Sequence, residues 1–311
     1  MELRDVILTH VVGPIVFVVL VLRFFPISRT DALLTVAAVA SPFTFLWLAG
    51  RWHVVSVWMR PVVLLGALGV LALSWRRGHR LPRYASKGTR TWVGRTVKVA
   101  LVVFTSVGTA DALAGRVPQG DPVELEFPLR AGRFYVGQGG STPSINYHTV
   151  NRTQRYALDI TKLSNWGSRV TRLPPRDLRD FPSYGAVLYA PCSGVVSHVE
   201  ASLPDNALGG EVDRRRPAGN EILIRCDGTH VEVLMAHLQA GSVHVVKGEH
   251  VDAGRIVAAI GNSGNSPAPH LHIHAKTGAQ ADTGLAGDGV PMLFRKRFLV
   301  RNDVVADAGP E

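Results

Sequence analysis

Pro269-His270-Leu271-His272-Ile273-His274 alternates imidazole with aliphatic side chains. A period of two belongs to an extended strand, so His270, His272 and His274 share one face while Leu271 and Ile273 share the other. Imidazole is the commonest side-chain metal ligand and the usual proton carrier near neutral pH. Such a strand supplies part of a metal site in front of an apolar back, and its partners must come from elsewhere in the chain.

Working outward, Gly261-Asn262-Ser263-Gly264-Asn265-Ser266 is a turn-rich loop that delivers the histidine strand. Before it, Gly248 to Val257 reads as a tight turn between short strands, and Met235-Ala236-His237-Leu238 ends another apolar run. Further short β-type runs fall at 133–136, 156–160, 185–190, 194–199, 221–225, 230–237, 256–260 and 270–275, separated by turn residues. No long helical period competes with them, so residues 120–300 read as an all-β, antiparallel-sheet domain. Two polar insertions rich in Arg and Pro, 162–183 and 205–217, are expected as exposed loops at its rim.

Residues 1–117 have a different composition. The chain has 311 residues, room for two domains, and its mean hydropathy is positive at +0.14 because the apolar residues are concentrated at one end. Apolar runs at about 6–25, 32–49, 54–75 and 97–113 approach the roughly 20 residues needed to cross a bilayer as a helix. They predict a bundle of about four transmembrane helices. Further apolar blocks and no small-x-small site follow the first run, which argues against a cleaved leader. Arg60-Pro61 lies inside the third run, and a deep Arg is costly unless paired or snorkelled, so that span is expected to start nearer Pro61. No intramembrane charge pair is apparent, and anchoring is the plain reading of this half.

Net charge is +10, but no nucleic-acid motif accompanies it. Much of it is Arg76, Arg77, Arg80, Arg83, Lys87, Arg90 and Arg95, with no acidic residue among them. Beside apolar runs this loop reads as cytoplasmic, with the β domain outside the cytoplasm. Anionic lipid headgroups or an anionic wall suit such charge. Two cysteines, Cys192 and Cys226, are too few for a disulfide framework. Pairing outside the cytoplasm and burial as two free thiols both remain open.

The ordered series Ala236-His237-Leu238, Gly248…Val251…Gly254…Val257, Gly261-Asn262-Ser263-Gly264 and His270-Leu271-His272 resembles the lysostaphin-type zinc metallopeptidase family, which cuts peptide cross-links in bacterial cell walls. Gly185…Leu188…Ala190-Pro191…Gly194…Val196 resembles that family's scaffold hairpin, with Leu188 where Val is usual. The resemblance is strongest in the last quarter of the chain. It implies one Zn2+, held by a His and an Asp of an H-x-x-x-D motif and by the second His of H-x-H, which is His272 here. Asp159, an acid in an otherwise apolar strand, fits the Asp; such a group is costly unless charge-paired or metal-bound. Four residues earlier stands Arg155, which cannot ligate a metal. The nearest upstream histidine is His148, and paired strands joined through 151–154 would bring it to Asp159. His148, Asp159 and His272 are therefore the expected metal ligands, with a two-ligand inactive site as the rival.

His237 and His270 match the family's two non-ligand histidines, expected to accept the proton of the attacking water and to stabilise the oxyanion. His274 is expected to support the site from behind, and His198, His230, His244 and His250 to lie on the surface. The expected function is a membrane-anchored, extracytoplasmic zinc metalloendopeptidase whose partners are the lipid bilayer and peptidoglycan or another peptide. A catalytically degenerate domain that binds wall or regulates another hydrolase is the alternative. A biotinyl- or lipoyl-type carrier, which shares the G-x-x-V-x-x-G turn, lacks an acceptor Lys at a hairpin tip.

Overall fold

Ser28 opens an apolar helix by accepting the Asp31 backbone N–H on its Oγ at 3.2 Å, a cap that satisfies one of the unpaired donors of a helix start. The computed structural model describes residues 28–84, 89–277 and 287–307, together with Gly13. Helix α1 (Arg29–Ala49), α2 (Met59–Gly78) and α3 (Thr89–Ala114) are, among the described residues, the three helices long and apolar enough to cross a membrane. They overlap the expected spans 32–49, 54–75 and 97–113; the span expected at 6–25 lies outside the described residues. Helix α2 starts at Met59, after the short turn Trp52–Val54, because Pro61 is tolerated in a first turn but not deeper. The Arg60 guanidinium lies 4.0 Å from the Trp47 ring centroid, a cation–π contact. Leu65, Leu68, Trp75, Phe104 and Val107 are exposed, as side chains facing lipid would be.

One expectation for this half is overturned. A charge pair is present: Lys98 Nζ lies 3.0 Å from Asp31 Oδ1, both side chains buried, joining α3 to α1. Sixty-seven residues separate the partners, so neither local run reveals the other. Higher on the same two helices Ser41 Oγ meets Thr105 Oγ1 at 2.7 Å and Ser106 Oγ at 3.0 Å. Polar contacts of this kind hold apolar helices together where lipid removes the hydrophobic drive.

The chain divides into two compact units, 1–113 and 114–311. The second is built of short strands: β1 (Val123–Leu125), β2 (Gly132–Gln138), β3 (Leu158–Lys162), β4 (Val187–Tyr189), β5 (Gly194–Glu200), β6 (Asn220–Cys226) and β7 (Glu232–Leu238). After these come β8 (His250–Val251), β9 (Ile256–Ala259), β10 (Leu271–Thr277), β11 (Asp288–Val290), β12 (Met292–Phe294), β13 (Arg297–Phe298) and β14 (Val304–Asp307). The main sheet runs β14-β2-β3-β10-β7-β6-β5-β8 with antiparallel pairs throughout, and β11 adds to β10. β4 pairs β9, and β1, β12 and β13 form a third sheet in which β1 and β12 run parallel.

Alternation decides what each face does. Leu271 and Ile273 are fully buried beside Leu158, Ile160, Met235, Val233, Ile222 and Ile224, in one core closed by Leu188, Val257 and Ala258 from the β4–β9 pair. The even-numbered residues of β10 point the other way, so the histidine face is the far side of the sheet. Cys192 and Cys226 form a disulfide with Cα atoms 5.7 Å apart, which resolves the alternatives left open by the sequence. The insertion 162–183 differs from expectation in part. Leu163, Val170, Phe181 and Ser183 are buried, and Ser183 Oγ accepts the Lys162 N–H at 2.8 Å. Asp205 Oδ1 accepts the Asn262 N–H at 2.6 Å, and Asn206 Nδ2 donates to Gly264 O at 2.7 Å. Polar side chains that bond backbone tie both loops down, while Ala207, Gly209 to Glu211 and Arg214 to Arg216 stay exposed as expected.

Candidate metal centre

Asp159 on β3 and His272 on β10 stand directly opposite each other in the antiparallel register. Cross-strand neighbours on one face lie close enough for their side chains to meet, and His272 Nδ1 lies 3.0 Å from Asp159 Oδ1. His148 arrives differently from expectation. It sits on a one-turn 3-10 helix, Tyr147–Val150, not on a strand. Asn146 holds that turn: its Oδ1 accepts the His148 N–H at 3.1 Å, and its Nδ2 donates to Gly140 O at 2.9 Å and Ala157 O at 3.1 Å. The turn brings His148 Nε2 to 3.0 Å from Asp159 Oδ1. One ligand atom from each of His148, Asp159 and His272 lies within 4.8 Å of the others, and all three residues are buried.

Arg155 is not part of this group. Its guanidinium donates to Gln119 Oε1 at 3.2 Å and lies 4.9 Å from the Tyr156 ring centroid. An Arg four residues before the acid therefore leaves the three-residue cluster intact.

Two further histidines complete the face. His270 Nδ1 donates to Ala268 O at 2.8 Å, and its Nε2 lies 3.7 Å from Asp159 Oδ1. His237 Nδ1 donates to Ser263 O at 2.9 Å, and its ring centroid lies 4.8 Å from that of His270 and 5.9 Å from that of His272. In the neutral His237 ring the carbonyl fixes the tautomer and leaves Nε2 as the acceptor. His237 has φ +62°, a left-handed conformation that side chains rarely adopt and that clusters at functional sites. Its backbone is held there by His237 N–H to Ala218 O at 2.8 Å and Gly261 N–H to His237 O at 2.9 Å. His274 Nδ1 lies 3.1 Å from His272 Nε2, behind the ring as expected. His198 pairs with Glu221 at 3.4 Å and His250 with Asp227 at 2.8 Å, both away from the cluster.

The electrostatics suit a cation. Burial alone would raise the Asp159 carboxyl, but the charges of His148 and His270 and hydrogen bonds from His148 and His272 hold it well below the usual carboxylate range. Burial is the main cause that pushes His237 well down, and it brings His272 to about 4. The site thus holds an ionised carboxylate with neutral imidazoles at 237 and 272. Two imidazoles and one carboxylate are the donor set of a catalytic zinc site with a fourth position open, and the residues fit that ion.

Four supports were not apparent from motif spacing alone. Tyr147 donates its hydroxyl to Asp159 Oδ2 at 3.3 Å, and Asn146 caps the histidine turn. Ser263 Oγ accepts the Asn220 N–H at 2.9 Å and donates to Leu238 O at 2.8 Å. Gly264 has φ +75°, and a Cβ there would stand 2.3 Å from Gly219 N, so the loop bearing Ser263 can sit against residues 217–220 only with glycine. The signal available for Asn146 was its place two residues before His148, the spacing of an Asx turn.

Residues 180–283 match the model described as Peptidase family M23; His237, His270 and His272 lie inside that stretch, His148 and Asp159 before it. No curated protein matches the chain. Among solved structures, a zinc-containing peptidase from Vibrio cholerae is 26% identical over 31% of this chain and 24% of its own, with a TM-score of 0.24. The catalytic domain of lysostaphin from Staphylococcus simulans is 22% identical over 36% of this chain and 80% of its own, TM-score 0.23. A protein from Pseudomonas aeruginosa described as a putative peptidase M23 is 15% identical over 63% and 59%, TM-score 0.29. The match thus spans about a quarter of the Vibrio protein's length and under two thirds of the Pseudomonas protein's.

Proposed function

From the premise that residues 180–283 carry a Peptidase family M23 domain, we propose that the chain is a membrane-anchored, extracytoplasmic zinc metalloendopeptidase. Its substrate is a peptide bond of peptidoglycan, in a cross-link or a stem peptide. Residues 1–117 are its membrane region and residues 120–300 its peptidase domain. The observation that carries this reading is the convergence of His148, Asp159 and His272, separated by up to 124 positions (272 − 148), onto one buried point.

His148, Asp159 and His272 would hold the ion. When bound, zinc makes a water acidic near neutral pH and polarises a carbonyl oxygen. Asp159 supplies the negative charge of the donor set and is steadied by the Tyr147 hydroxyl. The His272 ring is fixed from behind by His274, so that Nδ1 faces Asp159. His237 is neutral and carries its proton on Nδ1, so its Nε2 takes a proton from the attacking water. His270, with Nδ1 tied to Ala268 O, presents Nε2 on the same side; protonated, it donates to the developing oxyanion. Three apolar helices and the basic stretch 76–95 support anchoring, with the peptidase on the other side of the bilayer.

The full chain, purified in detergent, tests this. It is expected to bring with it about one zinc ion and to cleave a cross-linked wall peptide, and His272→Ala to lose both. Full hydrolysis by metal-stripped protein, or zinc retained at wild-type affinity in His272→Ala, would refute it. A reporter fused after Pro122 is expected to read as extracytoplasmic; a cytoplasmic signal would reverse the topology.

A further inference from the structure

The loop that leads to His148 is rich in glycine. Residues 137–144 read Gly137-Gln138-Gly139-Gly140-Ser141-Thr142-Pro143-Ser144, and a chain rich in glycine loses much conformational entropy on being fixed. The first ligand comes from this loop rather than from the four-residue spacing before Asp159. Asn146 ties it to Gly140 O and Ala157 O, and Ser141 ties it to Gly115 O and Val117 O. The C-terminal segment adds a third hold. Arg301 is buried. Its Nε donates to Gly137 O at 3.1 Å, its Nη1 to Ser144 O at 3.3 Å and its Nη2 to Gln138 Oε1. The fork therefore grips both ends of the segment at once, as a rigid planar donor set can and an ammonium cannot. The backbone adds Arg301 N–H to Gly139 O at 3.2 Å and Asn302 N–H to Val136 O at 3.0 Å.

Gln138 passes the constraint to the site. It stands opposite Asp159 across the β2–β3 pair, just after a register shift, and its Oε1 also accepts the Tyr147 N–H at 3.3 Å. Tyr147 is the first residue of the turn bearing His148 and hydrogen-bonds Asp159. Arg301, Gln138, Tyr147 and His148 form one chain of contacts from beyond the family match into the cluster.

We propose that Arg301 is the positioning residue for His148, acting through Gln138 and the 137–144 segment; this rests on the reading of His148 as a metal ligand. The test is a cycle on the full chain in detergent, with Zn2+ affinity measured by chelator competition. Arg301→Met keeps the length of the stem and removes the fork. It is expected to weaken Zn2+ binding roughly 10- to 100-fold, the usual effect of losing a group that orients a ligand. In a His148→Ala background the same change is expected to add less than about twofold, because two residues acting through one contact do not add. Arg301→Lys, which keeps the charge but not the fork, is expected to restore little. Unchanged affinity in Arg301→Met, or an equal loss in both backgrounds, would overturn the proposal while leaving the metal site standing. Wild-type affinity in His148→Ala would instead remove the ligand assignment itself. If Arg301→Met does not fold, Gln138→Met, which deletes the shared acceptor, is read in the same cycle against the same outcomes.

Discussion

Replacing Glu221 by Gln is expected to stabilise the protein in mild alkali and to do nothing in acid. Glu221 lies on β6 directly opposite Glu200 of β5, on the far side of Ala236 from His272. Its side chain is only 13% exposed, with His198 Nε2 at 3.4 Å. Burial, then the charge of Glu200, push its carboxyl up to about 7 against the opposing pull of Lys276. The unfolded chain therefore gives up this proton near pH 4.5 while the folded chain keeps it to about 7. Stability is lost as pH rises through that window, and the loss is complete above it. A shift from 4.5 to about 7 corresponds to about 3 kcal/mol. For a unit of this size that is roughly 6–12 °C in melting temperature. Gln keeps the shape and cannot ionise, so Glu221→Gln should melt higher than wild type at pH 8.5 and equally at pH 4. Thermal unfolding of the full chain, followed by near-UV circular dichroism at both pH values, measures this. A lower melting temperature at pH 8.5, or the same shift at both, would mean that Glu221 is stable as a carboxylate, and the argument from burial and like charge would fail.

The remaining predictions concern the bonds that frame the site. Closing the loop of sequence separation 34 between Cys192 and Cys226 stabilises by about 4 kcal/mol on the chain-entropy account; the double Ala variant should lose most of this, and reductant should lower the wild type to the variant's level without affecting the variant. Equal melting of oxidised and reduced wild type would count against that estimate. His274→Ala should weaken zinc binding roughly 10- to 100-fold by freeing the His272 ring, measured by chelator competition; unaltered affinity would mean that packing alone holds the ring. Gly264→Ala must move a loop whose added Cβ would meet Gly219 N at 2.3 Å. It should cut hydrolysis by more than about tenfold with zinc still bound, since Ser263 O orients His237 and not a ligand; a fully active variant would show that this carbonyl is dispensable.

Local pattern determined much of this protein. His-Leu-His-Ile-His specifies a strand with a polar and an apolar face because side chains alternate, and both faces stand as the alternation requires. Apolar runs of about twenty residues specify helices because nothing else satisfies the backbone in lipid. Asp159 was legible as a buried acid in an apolar strand; its register against His272 was set by the fold.

What local pattern left open involves partners far apart in the chain. Asp31 and Lys98 each look like a lone charge beside an apolar run until the helices pack. The cysteines admitted two states until β5 and β6 paired. The 162–183 insertion reads as polar and exposed until Leu163, Val170 and Phe181 are buried. His148 depended on Asn146, Gln138 and Arg301, the last of these 153 positions away (301 − 148), because a glycine-rich loop has no preferred course of its own. Periodicity reports which face a side chain occupies; only the folded chain decides which distant group that face meets.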